Sequence, residues 1–394
     1  MKKSSIAKSI FSFIKSEAVL TASWILAIAS MFFVPPDEKY LDYIDWRSLS
    51  ILWSLMVIMN VFKQNGFFNL LAEKLISSIN GKNGAEAKRQ DKKTFLLISS
   101  LVFLCFFLSM AITNDVALIT FVPFAIMILE GSPLLIPTIV LQTVAANLGS
   151  MLTPVGNPQN LYLFALGNFS VPDFITLILP YWISSFILLI AAIFLVTKIQ
   201  RGPVGIQSRS GSEIKPHGIP IFKTIVFSVL FVIALLTVSR LIPFYILAAL
   251  TLVCSLILQR KAFFKADYFL LLTFIGFFIF TGNMARIPTI NVLLKKLVEG
   301  HEMILGTLAS QVISNVPAAL LLSGFTENIR ALVLGVDIGG LGTLIASMAS
   351  LISFKFYAKT EGSRPGRYLL YFTAVNIIFL AVLISQYFLM PLAN

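Results

Sequence analysis

Charge is what this 394-residue sequence has least of: Asp, Glu, Lys and Arg together make up 12% of it, whereas 57% is hydrophobic. A soluble domain carries about 25% charged residues, and a chain with half that supply cannot cover a water-facing surface. A soluble globular enzyme and a disordered segment are thereby excluded. Cysteine is nearly absent too. Cys105 and Cys254 both lie within apolar runs, which reads as packing and excludes a disulfide scaffold. The two histidines, His217 and His301, fall in loops, so a His-rich metal site is excluded as well. An integral membrane protein remains.

The few charges are informative in their placement. The formal net charge is +12, which in a soluble protein would suggest nucleic acid. Here the positive-inside rule accounts for it. Apolar stretches long enough to span are 18–34, 47–64, 172–199, 223–240, 243–259, 268–285 and 366–390. Two more, 134–167 and 328–354, carry polar motifs at their centres, and 94–129 and 301–326 are interrupted by Asn-containing turns. Short amphipathic segments at 66–79 and 287–298 read as interfacial. The basic, apolar N-terminus resembles a signal peptide but lacks an evident cleavage site, so it reads as a retained first helix. With the N-terminus inside, the C-terminus outside and the two interrupted stretches treated as re-entrant hairpins, 23 of the 30 Lys and Arg fall on the cytoplasmic side. Either hairpin crossing fully would spoil that bias. The expected fold is all-α and polytopic, with two inverted-topology repeats, each holding a re-entrant helical hairpin and a broken transmembrane helix. The first repeat spans 1–199, with hairpin 94–129 and broken helix 134–167. A cytoplasmic linker, 200–222, and a connecting helix, 223–240, lead to the second repeat, 243–394, with hairpin 301–326 and broken helix 328–354.

The repeat is legible in residue types. Thr113-Asn114-Asp115 at the first hairpin break corresponds to Ser314-Asn315 at the second. Downstream, Asn147 pairs with Asp337, Gly149 with Gly339, Thr153 with Thr343, Asn157 with Ser347 and Asn160 with Ser350, without a gap. Gly156 lies between two prolines in the first of these stretches, where a helix must unwind. A broken helix frees N–H groups at one new end, which attract anions, and carbonyls at the other, which attract cations. Inverted repeats with broken helices meeting at the midplane are a common plan of secondary transporters. Asp115 and Asp337 are the two acids of 18 that fall in no loop; each ligates a cation or carries a proton, or else caps a helix. Pro123 and Pro180 read as packing kinks.

The run Thr-Asn-Asp-x-Ala-Leu at 113–118, Asn-Leu-Gly-Ser-x-x-Thr-Pro-x-Gly-Asn-Pro-x-Asn-Leu at 147–161 and Ser-Asn-x-Pro at 314–317 resembles the ion transporter superfamily. Within it the chain is similar to the citrate-transporter-like permeases, which have arsenite-pump, sodium–proton-antiporter-type and divalent anion–sodium symporter relatives. The resemblance implies a substrate and ion site formed by Thr113, Asn114, Asp115, Asn147, Gly149, Thr153, Gly156, Asn157, Ser314, Asn315, Asp337, Gly339, Thr343 and Ser347, elevator-type motion and a homodimer. Asn114, Asp115, Asn157, Asn315 and Asp337 are its candidate Na⁺ ligands. The chain departs from the pattern in reading Thr343-Leu344-Ile345-Ala346 where the first repeat has Thr-Pro-x-Gly, and in carrying Asp337 where Asn is common.

The expected function is a secondary active transporter of a small anion, a carboxylate or inorganic oxyanion, in the cytoplasmic membrane. It would be coupled to Na⁺ or H⁺, with no cofactor, no catalytic residue and no nucleic-acid partner. An arsenite-type efflux permease or a Na⁺/H⁺ antiporter is the alternative on the same fold. An ion channel and an intramembrane enzyme stand further off.

Overall fold

The computed structural model describes residues 17–67, 87–199 and 220–390. The basic N-terminal segment, most of the amphipathic stretch 66–79 and nearly all of the linker 200–222 lie outside the described residues. Within them the chain is helical and holds no strand: it is an all-α polytopic membrane protein. Exposed faces of the long helices carry large apolar side chains, among them Ile187, Phe194, Val229, Leu370 and Ile377. Such faces are stable only against lipid or another apolar surface.

The helices are α1 (Ala18–Met31), α2 (Trp46–Gln64), α3 (Ala87–Ile112), α4 (Asn114–Leu129), α5 (Leu135–Ser150), α6 (Pro158–Leu166), α7 (Val171–Ile199), α8 (Ile221–Val238) and α9 (Phe244–Leu258). There follow α10 (Arg260–Phe264), α11 (Tyr268–Ala285), α12 (Pro288–Val298), α13 (Glu302–Ile313), α14 (Asn315–Leu322), α15 (Ile329–Ile338), α16 (Met348–Ala358) and α17 (Pro365–Leu389). Local chemistry sets their bounds. Asp45 and Asp267 cap α2 and α11, accepting from the Ser48 and Leu270 N–H groups. The pair Pro35-Pro36 follows the end of α1 and Pro243 precedes α9, so these helices are only 14 and 15 residues long. Among the described residues five helical stretches are long and apolar enough to cross a membrane: Thr94–Ile112, Val171–Ile199, Ile221–Val238, Tyr268–Ala285 and Pro365–Leu389. The first of these is the leading arm of the expected hairpin 94–129, which is therefore longer than its trailing arm, α4.

Polar side chains pin matching helix ends. Arg47 at the start of α2 donates to the Thr237 and Val238 carbonyls at the end of α8, at 3.2 and 3.3 Å. At the opposite ends, Gln259 donates to Gln64 at 2.9 Å and Lys223 donates to Gln259 at 3.0 Å. Helices α2 and α8 thus run antiparallel. Arg286 pairs with Asp37 at 2.8 Å and donates to the Tyr43 hydroxyl at 3.0 Å, fixing the end of α11 to the turn after α1.

Two groups of helices pack in the same manner. In the first half α3 packs on α4 and α5; in the second α13 packs on α14 and α15. The helices then exchange partners: α16 lies on α4 and α5, and α6 lies on α14 and α15. Close approach depends on missing side chains. A Cβ on Gly149 would sit 1.9 Å from the Phe106 carbonyl oxygen, and one on Gly339 would sit 2.8 Å from the Thr307 Cα. Phe106 and Thr307 occupy matching places on α3 and α13. Without Cβ atoms the backbones reach contact, as small residues permit between membrane helices. Gly149→Ala is expected to destabilise the purified protein by about 1–3 kcal/mol or more, read as a lowered thermal midpoint. Gly366→Ala, where nothing lies within 4 Å, is expected to stay within about 0.5 kcal/mol. Equal midpoints for the two variants would contradict this account of the packing.

Candidate functional site

Each hairpin turns on one residue. Thr113 has φ 71° and ψ 153°, and Ser314 has φ 75° and ψ 154°. A non-glycine residue in this region stores about 1–3 kcal/mol of strain and persists only where its surroundings impose it. The imposing contacts are the same twice. The Asn114 N–H donates to the Gly156 carbonyl at 3.3 Å, and the Asn315 N–H donates to the Ala346 carbonyl at 3.0 Å. Asn114 Oδ1 accepts from the Asp115 N–H at 2.8 Å, and Asn315 Oδ1 accepts from the Val316 N–H at 3.0 Å. The Thr153 hydroxyl donates to the Met110 carbonyl, and the Thr343 hydroxyl donates to the Gln311 carbonyl at 2.9 Å. Each tip is thereby tied to the unwound segment of the broken helix beside it, residues 151–157 or 339–347.

The halves are joined by Asn147, at the last turn of α5. Its Oδ1 accepts from the Asn114 side-chain amide at 3.0 Å and from the Ser347 hydroxyl at 2.9 Å; its Nδ2 donates to the Gly340 carbonyl at 3.4 Å. One buried amide thus binds a hairpin tip of its own half and the unwound segment of the other. Asp337, the matching residue, differs. Its Oδ1 accepts from the Gln159 amide of α6 at 3.2 Å, and its Oδ2, fully buried, has no hydrogen-bond partner.

Four helices, α4, α6, α14 and α16, begin at the tips and unwound segments, so their free N–H groups gather around this centre. No Lys or Arg lies in 113–118, 147–161, 314–318 or 337–350. Among the described residues no three His, Cys, Asp or Glu side chains come together as a metal site. The polar groups present are amides, hydroxyls and a carboxylate, which bind small ions through oxygen and N–H groups.

The sequence pattern of the citrate transporter family matches residues 10–329. The chain belongs to the citrate transporter family. It is similar to an uncharacterized transporter of Methanocaldococcus jannaschii, 33% identical over 356 residues, which cover 89% of this chain and 92% of that one. It is also similar to the inner membrane protein YbiR of Escherichia coli, 28% identical over 84% of this chain and 85% of that one. A 46 kDa membrane protein of Mycobacterium leprae is 23% identical over 81% of this chain and 80% of its own length. The chain is accordingly a multi-pass membrane transporter rather than an enzyme.

For this member of the citrate transporter family, the residues singled out in the sequence fall into three positions. Thr113, Asn114, Asn147, Gly149, Thr153, Gly156 and Asn157 stand at the first tip and its broken helix; Ser314, Asn315, Asp337, Gly339 and Ser347 stand at the second. Thr343 is exposed and serves the backbone. Asp115 stands somewhat apart: its carboxylate caps no helix and makes no hydrogen bond among the described residues, and it is half-buried. Sequence reasoning missed Gln159 and Gln311, and paired Asn160 with Ser350 without placing it in the site. Gln311 donates to the Gly339 and Leu341 carbonyls, each at 2.9 Å, and accepts from the Thr343 N–H, replacing the prolines that open the first broken helix. Their signal was present: each is an uncharged polar residue inside or abutting an apolar run.

Asn147→Ala strips partners from the Asn114 amide and the Ser347 hydroxyl together, at about 1–3 kcal/mol for each buried group left unpaired. In a double-mutant cycle, Asn147→Ala and Ser347→Ala are expected to couple by about 0.5–3 kcal/mol in unfolding free energy. Additive effects would remove the bond between the halves from the account.

Proposed function

We propose that the chain is a secondary active transporter of a small anion, a carboxylate or inorganic oxyanion, across the cytoplasmic membrane, coupled to Na⁺ or H⁺. The observation that carries this reading is that one buried amide, Asn147, bonds the hairpin tip of its own half and the unwound segment of the other, to which the second tip is in turn tied. Four helix N-termini supply N–H groups and partial positive charge for an anion, which explains how an anion can be held where no Lys or Arg is present. Asn114 and Asn315 add side-chain amide donors. The reading takes the two halves as repeats of opposite orientation, with the N-terminus inside and the C-terminus outside. It is supported by the recurrence of each tip contact and by the distribution of Lys and Arg. Movement of one half of the hairpin–broken-helix unit against the helices α1, α2, α8, α9 and α11 would then expose the centre to either side.

A cavity of about 480 Å³ is lined by Asp42, Asp45, Arg47, Tyr162 and Thr281, at the ends of α2 and α11 and on α6. The hydroxyl of Tyr162, one of its lining residues, is hydrogen-bonded to the Ser323 hydroxyl at 2.9 Å, linking α6 to the turn after α14.

The test is uptake into proteoliposomes of labelled citrate, succinate, sulfate or arsenite under imposed Na⁺ and proton gradients. Asn114→Ala and Asn315→Ala are each expected to abolish uptake of the transported anion, with unchanged elution and secondary structure. Full uptake by both folded variants would remove the tips from the site.

A further inference from the structure

Five basic side chains gather at one end of the bundle, where α2 ends, α8 begins and α9 passes into α10: Lys63, Lys223, Arg260, Lys261 and Lys265. Among the described residues none of the five forms an ion pair. Lys265 stands close enough to Lys63 to repel it. The acid nearest in sequence, Asp267, caps α11 through the Leu270 N–H and lies toward Glu17 and Asp115. A chain of hydrogen bonds runs through this cluster. Lys223 donates to Gln259 Oε1 at 3.0 Å, and Gln259 Nε2 donates to Gln64 Oε1 at 2.9 Å. An ammonium can only donate, so Lys223 fixes the direction of both amides. The chain ends at Gln64 Nε2, a buried donor with no acceptor, and a buried polar group left unpaired requires an explanation. The first N–H groups of α8 are free as well, since Pro220 offers no side-chain cap. The unsatisfied groups at this junction are cations and donors, so what it lacks is an anionic acceptor.

An apolar groove starts at the same junction. It encloses about 510 Å³ and is lined by Phe67, Ile221, Thr224, Ile225, Val229 and Val232. Thr224 accepts from the amide of Asn65, the residue after Gln64, at 3.4 Å. From Ile221 to Val232 the groove follows one face of α8 for about 16 Å at the helical rise. The hydrocarbon of one leaflet is about 15 Å deep, half of a core of roughly 30 Å. Beside the groove, α10 buries Ala262 and packs Phe263 on Trp53 at 6.0 Å, but leaves Phe264 exposed among Arg260, Lys261 and Lys265. Exposed aromatic and basic side chains together suit the headgroup layer of a membrane. We propose that this junction binds an anionic phospholipid, with the phosphate held by Lys63 and Lys223 and accepting from the Gln64 amide, and with one acyl chain along the groove of α8. Charge complementarity and the length of the groove select this occupant. A merely cationic surface attracts anionic lipid without choosing a position, whereas the amide chain and the groove define one. The inference goes beyond the transport reading and does not depend on it.

The test is thermal unfolding of the purified, delipidated full-length protein at constant ionic strength and pH. It is titrated with phosphatidylglycerol, with phosphatidylcholine of the same acyl chains, and with glycerol phosphate. The wild type is expected to rise saturably in midpoint by about 3 °C or more with phosphatidylglycerol and to stay within about 1 °C with the other two. The double variant Lys63→Gln, Lys223→Gln should need about tenfold more phosphatidylglycerol for half its effect. If it is not recovered folded, Lys63→Gln alone is read and should be weakened in the same direction. Val229→Trp fills the groove without touching a charge and should weaken the response as well. Lys359→Gln, which removes an exposed cation at the end of α16, should respond as the wild type does. Equal shifts with the two lipids, or a response to glycerol phosphate that equals the response to phosphatidylglycerol, overturn the proposal. So does an unchanged response in the lysine variants or in Val229→Trp, or an equal loss in Lys359→Gln. A dimer that persists without lipid and is disrupted by Val229→Trp would seat a second copy of the chain in the groove and overturn it too.

Discussion

The hydrogen bonds at Asn147 Oδ1 tie a hairpin tip of one half to the unwound segment of the other. Most of what is distinctive in the structure depends on that junction. Two helices can be broken inside a membrane only if the freed backbone groups meet protein or water. Here each tip N–H is given to a carbonyl of the neighbouring unwound segment, and the strain at Thr113 and Ser314 persists because both sides of each tip are held. The glycines at 149 and 339 bring the backbones within reach of those bonds. Removing the side-chain junction would leave two halves that pack but do not share a centre.

The two halves solve the same problem with different residues. The first opens its helix with Pro154, Gly156 and Pro158. The second has no proline in its break and uses Gly339, Gly340 and Gly342, the last at φ 108°, with Gln311 filling the exposed carbonyl groups. The difference extends to the corresponding residues Asn147 and Asp337: the amide makes three hydrogen bonds, whereas Oδ2 of the carboxylate makes none. Both halves place helix N-termini at the tips and unwound segments.

Much of this was legible in the residues. The breaks at 113 and 314, the glycine-proline run at 153–158 and the correspondence of Asn147 with Asp337 are local patterns, and the structure places them at the tips and unwound segments. The apolar stretches 172–199, 223–240, 243–259, 268–285 and 366–390 lie within a few residues of helices α7, α8, α9, α11 and α17. What was not legible was long-range: Gln159 meets Asp337, and Gln311 meets Gly339, only because helices from distant parts of the chain cross. In the sequence Asp115 and Asp337 look alike, each an acid within an apolar motif. Folding separates them, leaving Asp115 half-buried beside a tip and Asp337 enclosed. Trp182 of α7 stacks on Phe186 at 6.0 Å and lies against Phe106 at 4.9 Å. Composition cannot show which face of α7 turns inward.

The central claim, that one enclosed centre between two halves carries an anion by alternate exposure, is tested most directly by counterflow. Proteoliposomes loaded with an unlabelled small anion of the transported class are diluted into a trace of the labelled one. The account predicts saturable, transient accumulation of label above its equilibrium level, driven by exchange through a single centre. Flux that rises linearly with concentration and never exceeds equilibrium would describe a continuous pore and contradict it.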